Sequence, residues 1–165
     1  AEYQRLILLG CGVEVNSNLA KEIWDLVSIA PTKLVLFDDV IPVLTVLQSK
    51  GIGSGIISNY NQSGSSLLKE LGLTALMDFA VTAQEVGAEK PDPKIFNAAL
   101  IRSGVDPSEM IYVGDQYITD VIGAETAGIH GILIDRNQTA NVPDEVIKID
   151  GLKEVLGLLD SISLK

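Results

Sequence analysis

The residues of this sequence that could do chemistry follow short apolar runs. Asp115 comes directly after the run 110–114, and Asp120 follows it five residues later on a predicted helix. Two carboxylates near one point are hard oxygen ligands of the kind that Mg²⁺ prefers, and Gly114 lets the chain turn close to the end of the run. The pair therefore predicts a Mg²⁺ site. The alternative is that Asp120 is simply an acid in the first turn of a helix, where the helix dipole favours it.

Three further polar residues occupy comparable positions. Ser58 ends the apolar run 52–58 and Asn59 follows it, where a hydroxyl and the amides of the next turn could hold a phosphate oxygen. Lys90 precedes a proline-rich turn. Taken singly, Ser-Asn is typical of a turn or a helix cap and a lysine is typical of a solvated surface. Each signal is weak individually, but their order and context along the chain make them strong together with the carboxylates.

Composition excludes several classes of protein. Acidic residues outnumber basic ones 22 to 12, and the net charge of −10 argues against a nucleic-acid partner. No run of about 18 apolar residues is present to span a membrane, and the first residues lack a basic signal-peptide leader. The single cysteine, Cys11, allows no internal disulfide, which predicts a cytoplasmic protein. The lone His130 excludes a metal site built on two histidines.

From residue 34 onward, short apolar runs alternate with amphipathic segments. We predict strands at 52–58, 79–82, 110–114, 131–135 and 146–150, and helices at 61–72, 91–104, 118–128 and 152–162. This alternation predicts an α/β fold with a parallel sheet covered on both faces. Ligands of such sheets bind beyond the carboxyl ends of the strands. Ser58, Thr82 and Asp115 all fall at those ends, which predicts one shared site.

The first 33 residues follow a different pattern. We predict a helix that ends at Gly10 and a capped helix over 19–29. A strand over 6–9 is the alternative, because periodicity cannot decide four consecutive apolar residues. The predicted organisation is therefore a helical segment, 1–33, followed by an α/β core, 34–165.

At this point the sequence resembles a known family. Ser58-Asn59, then Lys90-Pro, then the pattern Gly-Asp-x-x-x-x-Asp at 114–120 are similar to the second, third and fourth motifs of the haloacid dehalogenase-like hydrolases. The resemblance covers about residues 34–165 and is closest to the phosphatase-like branch that carries a helical cap. It implies a three-layer α/β/α Rossmann-like core with a parallel sheet, and it identifies residues 1–33 with the end of such a cap.

The resemblance also implies roles for the site residues. Ser58 and Asn59 would bind the phosphoryl group, and Lys90 would neutralise that group and the attacking nucleophile. Asp115, helped by Asp120, would hold Mg²⁺. The implied activity is a Mg²⁺-dependent phosphatase acting on a small phosphorylated metabolite. A haloacid dehalogenase is a minor alternative, because those relatives need no metal whereas both aspartates are present here.

The first motif of the family, an Asp-x-Asp pair that supplies the nucleophile, occurs nowhere in this sequence. Asp38 follows an apolar run, but Val40 would stand in the second place, and a simpler interpretation is that Asp38 or Asp39 caps the following helix. Alternatively, with 6–9 as the first strand, glycines would replace both aspartates. The interpretation that we prefer is that the first strand and its nucleophile are not within this chain.

Two consequences follow for activity and assembly. The chain alone is expected to have little or no activity, since a phosphate and metal cradle without a nucleophile supplies only part of the rate. A non-catalytic module that binds phosphate and Mg²⁺ is the alternative.

In the family, the first strand lies in the middle of the sheet, so its absence would expose two strand edges. Direct pairing, residues 3–9, or a strand from a second chain or a second copy could close that gap.

Overall fold

The computed structural model describes residues 5, 8, 9, 12–28 and 33–161. The chain divides into two compact units, Ala1–Leu34 and Val35–Lys165. In the first unit, helix α1 spans Ser17–Ser28, and the side chain of Asn16 accepts a hydrogen bond from the Leu19 amide (2.9 Å) as its cap. The predicted helical character of this unit is confirmed there. Its interpretation as the end of a cap domain stays a prediction.

For the segment before α1, the sequence predicted a helix and left a strand as the alternative. Leu8 and Leu9 are helical, which contradicts the alternative of a strand over 6–9 at those two residues. Gly10, where we predicted the helix to end, lies outside the described residues.

The second unit alternates strands and helices as predicted. Its strands are β1 (Gly55–Ser58), β2 (Phe79–Thr82), β3 (Ile111–Gly114), β4 (His130–Ile134) and β5 (Lys148–Ile149). Its helices are α2 (Val40–Ser49), α3 (Gly64–Leu71), α4 (Ala83–Val86), α5 (Pro93–Ser103), α6 (Gly123–Thr126) and α7 (Val155–Ser161). Short 3-10 turns at Pro107–Glu109 and Leu152–Glu154 and a π-helical turn at Tyr117–Ile122 complete it. The α/β fold class is confirmed.

The strands form two parallel sheets rather than one. Strand β1 pairs with β2, and β3, β4 and β5 pair in that order. Within residues 33–161, β1 and β3 share no ladder. This finding excludes direct pairing as the way in which the predicted gap is closed.

The helix boundaries follow local chemistry. Helix α5 begins at Pro93, whose fixed φ suits the first helical position, and the Asp92 carboxylate accepts a hydrogen bond from the Lys94 amide. The helix ends at Gly104 in the left-handed conformation, with φ of +70°. Phe96 and Ile95 on this helix are completely buried in the largest apolar cluster.

The predicted cap of α2 is wrong in its detail. Asp39 stands at the cap position but its side chain makes no cap hydrogen bond. Both carboxylate oxygens instead accept hydrogen bonds from Arg136 (2.9 Å each), and one also accepts from the Leu152 amide (2.8 Å). A bidentate arginine pair is stronger than a neutral cap bond, so it determines the rotamer. Asp38, the other candidate, is exposed.

Asp39→Asn should lower the free energy of unfolding at pH 7 by about 2 kcal/mol, because it removes charged hydrogen bonds from a carboxylate whose side chain is 13% exposed. The side-chain hydrogen bond from Arg136 lowers the pKa of Asp39 below its ordinary value of 3.8. Since the folded-state pKa is the lower one, this stabilisation is complete above about pH 4 and disappears as the pH falls through the folded value. The free energies of unfolding of the wild type and of the variant should therefore become similar in acid. Urea unfolding from pH 7 to pH 3 tests this, with Asp38→Asn as the control expected to change little.

None of the helices in the described part of the chain combines the length and apolar character that crossing a bilayer requires.

Candidate active site

Lys90 lies in the loop between α4 and α5 and is largely buried. Its ammonium group donates a hydrogen bond to Asp120 Oδ1 (2.7 Å), and the two side chains are 14% and 3% exposed. The pair joins positions 30 residues apart. The alternative interpretation of Lys90 as an ordinary solvated lysine is therefore wrong, and its charge is held at a fixed point.

Asp120 uses both of its carboxylate oxygens. Oδ1 accepts a hydrogen bond from the Lys90 ammonium, and Oδ2 accepts one from the Gln116 amide (3.0 Å). A methyl group on Gly114 would overlap the Asp120 side chain, so only glycine permits this approach. We predicted one regular helix over 118–128, whereas residues 117–122 form a π-helical turn. Such turns are frequent at functional sites, and this one contains the buried Asp120.

Tyr112 is the third member of this cluster. Its hydroxyl accepts a hydrogen bond from the Lys90 ammonium (2.9 Å) and lies 3.3 Å from Asp120 Oδ1 and 3.4 Å from the Ile57 carbonyl oxygen. Its ring meets Phe96 edge to face, with centroids 5.3 Å apart. Burial, and then the negative charge of Asp120, raise the pKa of Tyr112. The hydroxyl thus stays protonated and can both accept and donate.

Asn59 links the end of β1 to the same lysine. Its side-chain oxygen accepts a hydrogen bond from the Lys90 amide (2.7 Å), and its NH₂ group donates to the Lys90 carbonyl oxygen (3.2 Å). Asn59 therefore positions the backbone of Lys90. The neighbouring Ser58 is half-buried, and its hydroxyl oxygen accepts a hydrogen bond from the Tyr60 amide (3.2 Å). The hydroxyl proton of Ser58 remains able to donate to a ligand.

The two aspartates occupy different environments. Asp115 is exposed directly after β3, whereas Asp120 is buried and bound to Lys90 and to the Gln116 amide. Within the described residues, no three acidic, histidine or cysteine side chains form a group that could hold a metal. Mg²⁺ is commonly bound through one or two carboxylates together with waters and substrate phosphates. Asp115 fits one such position.

The strand ends bring these residues to one edge of the two sheets. Ser58 closes β1, and Asp115 follows the last residue of β3. Asn59, which follows Ser58, accepts a hydrogen bond from the Lys90 amide. The amide of Gln116, which follows Asp115, donates a hydrogen bond to Asp120. Both strand ends are therefore linked to the Lys90–Asp120 pair. Thr82 closes β2 in register with Ser58, but it is fully buried, so the structure does not place its side chain at the open edge.

Sequence reasoning missed Tyr112. Its signal was its position two residues before Gly114 on the same strand, because residues i and i+2 of a strand face the same side. That side is where Asp120 packs against Gly114. A tyrosine there was open to interpretation as ordinary core, and only the three-dimensional contact with Lys90 shows otherwise.

Comparison with known proteins identifies the family. The family model described as "Haloacid dehalogenase-like hydrolase" matches residues 13–134 of this chain. The chain belongs to the haloacid dehalogenase-like hydrolases. This confirms the family resemblance stated from the sequence, whereas the roles of the individual site residues stay predictions.

Two curated relatives are similar to this chain over most of its length. Haloacid dehalogenase-like hydrolase domain-containing protein 3 of Mus musculus is 34% identical over 71% of this chain and 47% of its own length. A glyceraldehyde 3-phosphate phosphatase of Methanothermobacter thermautotrophicus is 36% identical over 73% of this chain and 58% of its own length. The chain thus spans about half the length of the curated relatives that it matches.

Solved structures of haloacid dehalogenase-like proteins share the fold. A HAD phosphatase from Thermococcus onnurineus is 33% identical with a TM-score of 0.69, covering 75% of this chain and 58% of that one. A 2-haloacid dehalogenase from Pseudomonas syringae pv. Tomato is likewise 33% identical with a TM-score of 0.69, covering 76% and 54%. The three-layer Rossmann-like core is therefore established, and both chemistries occur among its neighbours.

Proposed function

We propose that this chain carries the phosphoryl- and Mg²⁺-binding part of a phosphatase that acts on small phosphate esters. The observation that carries the proposal is Lys90, whose buried ammonium is fixed by Asp120 and Tyr112 at the edge where β1 and β3 end. A cation fixed there stabilises negative charge on phosphoryl oxygens without reorganising during the reaction. The similarity to a named phosphatase supports the same assignment.

Each side chain then has a physical role. The Ser58 hydroxyl and the amides of the turn after it would donate to phosphoryl oxygens. Asn59 holds the backbone of Lys90 in place through two hydrogen bonds. Asp120 positions the ammonium of Lys90, and the exposed Asp115 would hold Mg²⁺, which when bound neutralises phosphate charge. Beside Asn59 lies a polar cavity of about 390 Å³, bordered also by Asn61, Gln84 and Glu89.

The attacking carboxylate is the part that these residues do not supply. Asp120 is already bound to Lys90, and Asp115 is the proposed metal ligand. No Asp-x-Asp sequence is present elsewhere in the chain. We therefore propose that the 165-residue chain binds phosphate and Mg²⁺ but does not turn over substrate by itself.

Binding and hydrolysis should separate in a direct test. Calorimetry should detect binding of inorganic phosphate in the presence of Mg²⁺. Asp115→Asn should weaken the affinity for Mg²⁺ at least about tenfold, since it removes the charge of the exposed carboxylate that we propose as the metal ligand. Hydrolysis of 4-nitrophenyl phosphate by the chain should not exceed that of the Asp115→Asn variant.

Two results would contradict this proposal. An unchanged Mg²⁺ affinity in Asp115→Asn would remove the proposed metal site. Mg²⁺-dependent hydrolysis by the wild-type chain, lost in that variant, would show that a nucleophile such as Asp38 is already present.

A dehalogenase is the second candidate, favoured by the similarity to the Pseudomonas enzyme. It predicts chloride release from a 2-chloroacid without added metal once a nucleophile is supplied. Phosphate binding that depends on Mg²⁺ and on Asp115 would favour the phosphatase instead, because the dehalogenase reaction of this family needs no metal.

A further inference from the structure

The loop between β1 and α3 belongs to the phosphate-binding part of the candidate site. Ser58 closes β1 and Gly64 begins α3, so residues 59–63 form what we call the β1–α3 loop. In the proposed function, amides of this loop donate to phosphoryl oxygens. Amides that are already in place bind an anion more tightly, because a loop that must be ordered on binding loses conformational entropy. The contacts that hold the two ends of the loop therefore bear on phosphate affinity.

The first end of the β1–α3 loop is held by Asn59. Its side-chain oxygen accepts a hydrogen bond from the Lys90 amide (2.7 Å), and its NH₂ group donates one to the Lys90 carbonyl oxygen (3.2 Å). This end is thus attached to the backbone of the lysine whose ammonium is proposed to bind the same phosphoryl group.

The second end of the β1–α3 loop is held by Glu85, which lies on α4. The Gly64 amide donates a hydrogen bond to Glu85 Oε1 (2.8 Å). The first amides of a helix have no partner within the helix, and a carboxylate beside them is favoured by the helix dipole. A methyl group on Gly64 would overlap the Ala80 carbonyl, so glycine lets the start of α3 lie directly against β2.

Glu85 is itself fixed by an arginine. Its Oε2 lies 2.9 Å from Nη2 of Arg102 on α5, and Arg102 also donates a hydrogen bond to the Ala80 carbonyl oxygen on β2. The hydrogen bond from the Gly64 amide, together with the one from Arg102, lowers the pKa of Glu85 below its ordinary value of 4.5, against the opposing effect of burial. Glu85 is therefore charged at neutral pH, and its carboxylate joins α3, α4 and α5.

Both ends of the β1–α3 loop are thus attached to one segment, 82–90. Asn59 is bonded to the backbone of Lys90, and Gly64 is bonded to the side chain of Glu85. The loop amides and the Lys90 ammonium are therefore held in a fixed relation to each other. Asp115, the proposed Mg²⁺ ligand, follows β3 in the other sheet and is not part of this arrangement.

We propose that Glu85 is a positioning residue, which holds the β1–α3 loop against the segment that carries Lys90 and thereby raises the affinity for the phosphoryl group. It acts through the Gly64 amide rather than by contact with the ligand. The effect on phosphate rests on the proposed function, whereas the effect on the loop stands on the contacts alone.

Glu85→Ala removes the contact with Gly64, and calorimetry with inorganic phosphate in the presence of Mg²⁺ measures the result. Phosphate affinity should fall at least about tenfold, whereas the affinity for Mg²⁺ alone should stay within about twofold of the wild-type value. Glu85→Gln keeps an oxygen acceptor for the Gly64 amide and should recover part of the phosphate affinity. A general loss of stability would instead lower both affinities together.

The sign of the change separates positioning from simple electrostatics. Removing a negative charge near an anion site should by itself strengthen phosphate binding. The control is Glu125→Ala, which removes the same charge from an exposed position on α6 and should leave phosphate affinity unchanged or slightly higher. Weaker binding in Glu85→Ala alone would therefore reflect lost positioning.

Hydrogen exchange tests the positioning without any phosphate. The Tyr60 amide donates to the Ser58 hydroxyl oxygen (3.2 Å) and lies at the opposite end of the β1–α3 loop from Gly64. In Glu85→Ala, both amides should exchange at least about threefold faster, whereas the amides of β4 should keep their wild-type protection. The Glu85 and Arg102 side chains are 26% and 41% exposed, and an ion pair so exposed adds little to global stability.

Three results would overturn the inference. They are a phosphate affinity in Glu85→Ala that equals or exceeds that of wild type, unchanged exchange of Tyr60 and Gly64 in this variant, and a parallel loss of both affinities with faster exchange in β4. A wild-type chain that binds no phosphate would contradict the proposed function. In that case the exchange of Tyr60 and Gly64 still decides whether Glu85 positions the loop.

Discussion

Replacing Lys90 with methionine should lower the free energy of unfolding by about 3 kcal/mol. The reason is that removing one partner of a buried ion pair leaves the other charge uncompensated. Asp120, whose side chain is 3% exposed, would keep only the Gln116 amide and the weaker contact with Tyr112. Methionine retains most of the apolar volume, so the loss reports mainly on the charge. Urea unfolding at pH 7, followed by circular dichroism, measures it.

The chain offers a close control for this substitution. Lys94 is exposed in the first turn of α5, four residues from Lys90, and Lys94→Met should change stability by less than about 0.5 kcal/mol. Combining Lys90→Met with Asp120→Asn should recover part of the loss, because no charge then remains buried. If Lys90→Met unfolds like Lys94→Met, the ion pair does not stabilise the fold.

Gly114→Ala should destabilise the protein by about 1 to 3 kcal/mol, the usual cost of overpacking a filled site. The added methyl group would overlap the side chain of Asp120, which Lys90 and the Gln116 amide hold in position. The aspartate must move, so the Lys90 ammonium should lose its fixed position as well. Urea unfolding gives the stability change. The amide resonance of Gln116 should shift as its hydrogen bond is lost.

Gly157 provides the matched glycine. It lies within α7, and a methyl group there would meet no atom within 4 Å. Gly157→Ala should therefore stabilise the protein by about 0.5 to 1 kcal/mol through helix propensity. Equal effects of the two alanine substitutions would mean that Gly114 is not required for the approach of Asp120.

Much of the fold could be predicted from the sequence because its causes are local. Strand β2 lies where the apolar run 79–82 predicted it, and α5 begins at Pro93 and ends before Gly104 as predicted. The polar residues that follow the runs were also informative, since parallel strands bring their carboxyl ends to one edge. Order along the chain was thus enough to identify Ser58, Lys90 and Asp115 as candidates.

Long-range contacts explain where local reasoning failed. Asp38 or Asp39 was expected to cap α2, but Arg136, 97 residues from Asp39, binds the Asp39 carboxylate instead. The predicted helix over 118–128 begins as a π-helical turn, and in that turn Asp120 bonds to Lys90, 30 residues away. No pattern within a window of the sequence contains such partners.

The sequence by itself determined the family, the α/β alternation and the residue types at the strand ends, because glycine, proline, caps and hydrophobic runs act on neighbouring residues. Only the tertiary structure decided that Tyr112 and Asp120 fix the ammonium of Lys90. It also decided that β1 and β3 remain in separate sheets on either side of an apolar cleft. Both outcomes depend on the packing of segments distant in sequence, where burial and charge pairing select among conformations that local preferences leave open.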